Sequence, residues 1–141
     1  MDTDPTTITP EKAAEILAED PKAILVDIRS SMEYLFIGHP IGARHVAWID
    51  EPDWVVNPNF CTEIRKLILG GAIDDIEAGS VPIILICRSG KRSHVAGKTL
   101  LENGLKNVYH IGEGFEGDRD ENGHRGTLGG WRFRGLPWEQ C

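Results

Sequence analysis

Within this 141-residue chain, residue types and spacing converge on chemistry at Cys87-Arg88-Ser89-Gly90-Lys91-Arg92-Ser93. The segment leaves an apolar strand, Val81-Pro82-Ile83-Ile84-Leu85-Ile86, and enters a helix beginning near Ser93. Open parallel sheets form their sites where the chain leaves the carboxyl end of a strand, and a loop entering a helix turns its free N–H groups toward one point. If the loop wraps the Cys87 sulfur, those amides, the helix dipole and the cations Arg88, Lys91 and Arg92 all favour a negative sulfur, the nucleophilic form. The competing reading is a buried inert thiol beside a solvated basic turn, since free cysteine is usually structural. Three cations and a glycine at the end of a strand argue against it.

Such a loop needs strands and helices to hold it. Ala23-Ile24-Leu25-Val26-Asp27-Ile28 is a second branched apolar run without alternation, the pattern of a strand covered on both faces, and residues 44–48 and 107–111 are weaker ones. Thr9 before Pro10 reads as a helix cap with proline at the first helical position, and that helix ends before Pro21. Phe60, Ile64, Leu67 and Ile68 share one helical face, and Val95, Thr99 and Leu100 another. Buried strands alternating with amphipathic helices predict an α/β fold, a parallel sheet with helices on both faces. Residues 112–135 hold eight of the 16 glycines and read as a long loop.

A chain of 15.6 kDa fits one domain, large enough to fold without disulfide or metal staples. With 15 basic and 22 acidic residues the net charge is −7, which disfavours nucleic acid and anionic membranes as partners. No apolar run approaches the roughly 18 residues of a spanning helix. Three cysteines without a Cys-x-x-Cys pair, and an N-terminus lacking the features of a signal peptide, predict a cytoplasmic protein.

Two further motifs match and are set aside. Gly112-Glu113-Gly114-Phe115-Glu116-Gly117 satisfies G-x-G-x-x-G, but no helix follows to receive a pyrophosphate. Asp118-Arg119-Asp120-Glu121-Asn122-Gly123 opens like a calcium loop, yet Gly129 stands where the bidentate glutamate belongs. A solvated glycine-rich loop is expected for both.

The segment 87–93 resembles the active-site loop of the rhodanese family of sulfurtransferases. Leu25-Val26-Asp27-Ile28-Arg29-Ser30, Glu33-Tyr34, Gly38-His39 and Gly42-Ala43 resemble the family's upstream signature. Glu113-Gly114-Phe115, Gly129-Gly130-Trp131 and Gly135-Leu136-Pro137-Trp138 resemble its downstream one. His39-Pro40-Ile41-Gly42 departs from the commoner His-Ile-Pro-Gly order, which touches only a turn. The resemblance covers residues 8–138, with 1–7 and 139–141 expected as flexible termini. It implies a central, mostly parallel five-stranded sheet and a persulfide carried on Cys87. The donor would be a small sulfur anion such as thiosulfate, and the acceptor cyanide, a thiol or a protein. Arg88, Ser89, Gly90, Lys91, Arg92 and Ser93 would bind the substrate, with neither metal nor organic cofactor required. The related loop of cysteine phosphatases and arsenate reductases places five residues between cysteine and arginine. Ser93 occupies that position here, and the arginine comes one place earlier, at Arg92. A persulfide carrier between partner proteins and a sensor or interaction module remain as alternative roles.

The resemblance also makes Asp27 and Arg29 part of a polar network beneath the loop, with Glu33 spaced to pair with Arg29 on a short helix. His39 is expected as a scaffold residue in a Gly-His turn, since a thiolate already formed needs no base. His45, His94, His110 and His124 show no metal spacing, and of these His94 alone stands near the loop in sequence. Cys61 reads as a buried thiol and Cys141 as an exposed terminal one. Trp48, Trp54, Trp131 and Trp138 are expected in the core or in a lid.

Overall fold

The computed structural model describes residues 3–70 and 80–140. The branched apolar runs form the middle of the sheet. β2 (Ile24–Asp27) and β5 (Ile83–Ile86) run side by side, in register from Ile24 opposite Ile83 to Asp27 opposite Ile86. β6 (Val108–Ile111) lies on the far side of β5, and β4 (Arg44–His45) beside β2. β1 (Thr6–Ile8) pairs with β6 and completes a five-stranded sheet in the order β1-β6-β5-β2-β4, every pair parallel. The α/β fold with a parallel central sheet is the expected one. Thr6 and Thr7, expected in a flexible terminus, are instead part of that sheet, opposite Tyr109 and His110. Two threonines and an isoleucine carry no apolar run to announce a strand. The open edge of β6 makes them one by taking up their backbone hydrogen bonds.

The sheet is covered on both faces, as expected. α1 (Pro10–Glu19) begins with Thr9 Oγ1 accepting the Lys12 N–H at 3.1 Å and Pro10 at the first turn. It buries Ala13 in a cluster with Leu25, Ile84, Ile86 and Ile111. α2 (Phe60–Leu69) and α3 (Lys91–Glu102) cover the opposite face. There Phe60, Ile64, Ile68, Ala96 and Leu100 pack with Val26, Ile28, Leu85, Val108 and Cys87. Strand alternation decides the sides: Leu85 and Cys87 turn toward α3, Ile84 and Ile86 toward α1.

The buried stripe of α3 differs from the expected one. It is Ser93, Ala96, Gly97 and Leu100, while Val95 is 52% exposed. The inward positions hold small residues because other segments press close: a Cβ on Gly97 would lie 2.7 Å from Pro5 Cγ. The branched apolar Val95, which suggested the other face, points to solvent.

Residues 112–137 form no helix or strand, yet they are not a solvated loop throughout. Phe115 and Trp131 are buried in the α1-side core. The segment ends in β7 (Trp138–Glu139), antiparallel to β3 (His39–Pro40). Glu139 is therefore in a strand, where a flexible terminus was expected, although β7 itself is exposed. Trp48 and Trp131 are both buried, Trp48 in the core under α2 and α3 and Trp131 in the core under α1, whereas Trp54 and Trp138 are exposed. Among the described residues no helix is long and apolar enough to cross a membrane.

Candidate active site

Cys87 follows β5 directly, and its residue is 1% exposed. The loop folds around its sulfur. Sγ accepts the Gly90 N–H at 3.2 Å and the Ser93 N–H at 3.3 Å, and Ser93 Oγ stands 3.4 Å away. The chain turns through Gly90 at φ 100°, a left-handed conformation open to glycine, and α3 starts at Lys91. Because Ser93 lies in the first helical turn, its N–H has no partner within the helix and is free to point at sulfur. Arg88 and Lys91 are exposed, and Ser89 is half-buried.

The glycine-rich segment braces this loop from outside. Phe115 donates its N–H to the Cys87 carbonyl at 2.8 Å, and Glu116 and Gly117 donate theirs to the Arg88 carbonyl at 3.0 and 3.2 Å. A Cβ on Gly90 would strike the Gly112 carbonyl oxygen, and one on Gly114 would strike the Arg88 backbone. Glycines that match a dinucleotide pattern in sequence thus serve the close approach of two backbones.

Asp27 and Arg29 are fully buried. Arg29 donates from Nε to Asp27 Oδ1 at 2.9 Å and from Nη2 to Oδ2 at 2.6 Å, and Nη2 also reaches the Gly38 carbonyl at 2.5 Å. Its guanidinium carbon lies 4.5 Å from the Phe115 ring centroid, so the network meets the loop through Phe115. Glu33 does not pair with Arg29. It receives both arms of Arg92 instead, Nη1 to Oε1 at 2.8 Å and Nη2 to Oε2 at 3.0 Å. The i,i+4 pairing needs one continuous helix, but residues Glu33–Ile37 form a single π-helical turn that Arg29 precedes, and the buried carboxylate of Asp27 takes the Arg29 fork. Burial alone would raise the Glu33 carboxyl, yet the hydrogen bonds and charge of Arg92 hold it below the ordinary value. Arg92, expected as a free fork for substrate, is thus already engaged. His39 donates from Nδ1 to the Tyr34 carbonyl at 2.8 Å, stacks on the Tyr34 ring at 3.8 Å and faces Glu139 Oε1 at 3.3 Å, as a fastening between β3, β7 and the π-helical turn.

His110 is the site residue that sequence reasoning passed over. It is buried on β6, with Nδ1 2.9 Å from Ser93 Oγ and Nε2 2.9 Å from Thr7 Oγ1. Burial first, and the neighbouring His94 second, push its pKa down to about 4. Strand alternation from Val108 would have put it on the α3 face. Thr7, assigned to a flexible end, gave no hint of a partner. His94, nearer in sequence, reaches outward to Asp4 Oδ1 at 3.4 Å and meets the His110 ring edge-on at 5.5 Å. Cys61 is half-buried on α2 with its thiol pushed up by burial, and Cys141 lies outside the described residues. Among the described residues no three His, Cys, Asp or Glu side chains group as metal ligands.

Comparison with known proteins gives this geometry its context. The rhodanese-like domain profile matches residues 9–121. A thiosulfate sulfurtransferase, GlpE of Haemophilus influenzae, is 32% identical over 110 residues, covering 78% of this chain and 84% of that protein. An uncharacterized protein of Rickettsia conorii is 31% identical over 130 residues, covering 91% and 92%. The crystal structure of Rv0390 from M. tuberculosis superposes with a TM-score of 0.80 at 38% identity, over 96% of this chain and 98% of that one. With the profile spanning most of the chain and the sheet, the cysteine loop and its bracing glycines in place, this protein belongs to the rhodanese-like domain family.

Proposed function

We propose that this protein is a single-domain sulfurtransferase that moves sulfane sulfur from thiosulfate, or another persulfide donor, to a thiophilic acceptor through a persulfide on Cys87. The observation that carries the reading is the pair of N–H groups of Gly90 and Ser93 aimed at Cys87 Sγ, at 3.2 and 3.3 Å. Hydrogen bonds to a charged acceptor are roughly twice as strong as those between neutral groups, so this cradle suits an anionic sulfur. The thiolate attacks the outer sulfur of thiosulfate. A new S–S bond forms as the old one breaks, and sulfite leaves with the electron pair. Cyanide or a thiol then attacks the terminal sulfur, and the Cys87 thiolate departs with its electrons. The exposed cations Arg88 and Lys91 draw the dianion to the loop, while Arg92, clamped by Glu33, holds the loop to the π-helical turn. The GlpE relative supports the activity, and the acidic chain without Cys-x-x-Cys pairs suits a cytoplasmic enzyme.

The test is chemical and positional. After thiosulfate treatment, peptide mass spectrometry should find one added, reducible sulfur on the Cys87 peptide, and Cys87→Ser should abolish thiosulfate:cyanide transfer with the fold intact. Sulfur found on Cys61 or Cys141 alone would overturn the assignment.

A further inference from the structure

Cys87 is covered by its own loop, and the polar path leading away from the sulfur ends at the surface. Ser93 Oγ stands 3.4 Å from Sγ, 3.2 Å from the Gly90 carbonyl and 2.9 Å from His110 Nδ1. On the far side of the ring, His110 Nε2 meets Thr7 Oγ1 at 2.9 Å, and Thr7 is exposed on the edge strand. The sheet builds this path: β6 sets His110 opposite Thr7 of β1, and alternation turns its ring to α3, whose first turn presents Ser93.

Both ring nitrogens have a hydroxyl partner, and a neutral imidazole carries one N–H and one bare nitrogen. With the proton on Nε2, the ring donates to Thr7 and accepts the Ser93 O–H, leaving the Ser93 oxygen to accept the Cys87 S–H. With the proton on Nδ1, the ring donates to Ser93, whose own hydroxyl proton then turns to the Gly90 carbonyl at 3.2 Å or to sulfur, and a charged sulfur is the stronger acceptor. We propose that His110 is a positioning residue that acts through the Ser93 hydroxyl, its tautomer setting whether that hydroxyl accepts from the Cys87 thiol or donates to the Cys87 thiolate. The inference rests on the reading of Cys87 as the reactive sulfur and adds a residue to that site.

The change of state balances. The Cys87 S–H bond breaks and its electrons stay on sulfur, while the proton passes to Ser93 Oγ. The Ser93 proton moves to His110 Nδ1, the Nε2 proton moves to Thr7 Oγ1, and the Thr7 hydroxyl releases its proton to solvent. The ring stays neutral throughout, in keeping with burial that disfavours the imidazolium. The titratable groups facing His110 are Cys87, through Ser93, and His94 of α3, behind which stands Asp4. β1 presents the uncharged Thr7 and β5 the apolar Leu85.

Nitrogen NMR of the histidine-labelled full chain, recorded as pH is raised, reads the tautomer directly. The ultraviolet absorbance difference between wild type and Cys87→Ala reads the thiolate. The expected result is a crossover of His110 from the Nε2–H to the Nδ1–H form that tracks Cys87 ionisation and vanishes in Cys87→Ala. Ser93→Ala should also remove the crossover and lower the thiolate fraction roughly tenfold below the wild-type midpoint, as loss of one hydrogen bond to a charged group predicts. A single His110 tautomer held through Cys87 ionisation overturns the proposal, as does a crossover that survives in Cys87→Ala. If the crossover is seen but thiosulfate adds no sulfur to Cys87, the sulfurtransferase reading fails and the His110 assignment stands. Persulfide formation without a crossover gives the converse.

Discussion

The charged residues around the loop separate into those that hold the fold and those left facing solvent. Arg29 and Asp27 are both fully buried and joined by two side-chain hydrogen bonds, so removing one partner strands the other charge away from water. Asp27→Ala should therefore lower unfolding free energy by about 3–5 kcal/mol, a large part of the roughly 5–15 kcal/mol typical of a domain, as read by urea unfolding. The Glu33–Arg92 pair is partly exposed, at 18% and 25% of its side chains, and contributes less. Its sign with pH follows from the lowered Glu33 carboxyl. The unfolded chain takes up that proton more readily than the folded one, so the stabilisation is complete above the ordinary carboxylate value and disappears as pH falls through the folded value. Glu33→Gln should cost about 1 kcal/mol at neutral pH, and its denaturation midpoint should converge with that of wild type as pH falls below the ordinary carboxylate range. A constant difference across that range would show that the pair does not titrate as argued.

At the scale of elements, the cysteine loop is shaped as much by the glycine-rich segment beside it as by β5 and α3. Gly90 and Gly114 combine positive φ, 100° and 69°, with backbone neighbours too close to admit a Cβ. Gly123 also has positive φ, 80°, but nothing stands within 4 Å of an added Cβ. Gly123→Ala should cost about 1–2 kcal/mol from backbone conformation alone and leave Cys87 chemistry unchanged. Gly114→Ala adds overpacking of about 1–3 kcal/mol and must push the Arg88 backbone aside, so Cys87 persulfide formation should fall well beyond the loss of stability. Thermal unfolding read beside persulfide yield separates the two effects. Equal behaviour of the two variants would detach the glycine segment from the site.

For the whole molecule, charge sets two opposed influences on a dianionic donor. The net charge of −7 repels it, whereas Arg88 and Lys91 on the exposed part of the loop attract it. A domain of this length has a radius of gyration of about 14 Å, longer than the roughly 10 Å Debye length at 0.1 M salt, so distant acidic groups are screened before the adjacent cations are. Thiosulfate loading of Cys87 should accordingly slow as salt rises from about 0.1 M upward, and Lys91→Glu should flatten that dependence. Stopped-flow loading rates measure it. Multiple turnovers with thiosulfate and cyanide alone mark the enzyme, while turnover that requires an added protein partner marks the carrier role.

What the sequence determined by itself was local. The apolar runs of β2 and β5, the Thr9-Pro10 helix start and the cysteine followed by glycine and cations each express their physics over a few residues, in burial, capping and charge. Those signals were enough for the α/β class and for the loop at Cys87. What only the tertiary structure decided were the pairings made by chain segments far apart in sequence. Thr6 and Thr7 become a strand because β6 leaves an open edge, Glu33 takes Arg92 because Asp27 has already taken Arg29, and the inward face of α3 is small because Pro5 and His110 lie against it. His110 belongs to the same group. Its ring is one more polar side chain on a short strand until the sheet sets it between Thr7 and Ser93, where two hydroxyls complete a path that local sequence does not encode.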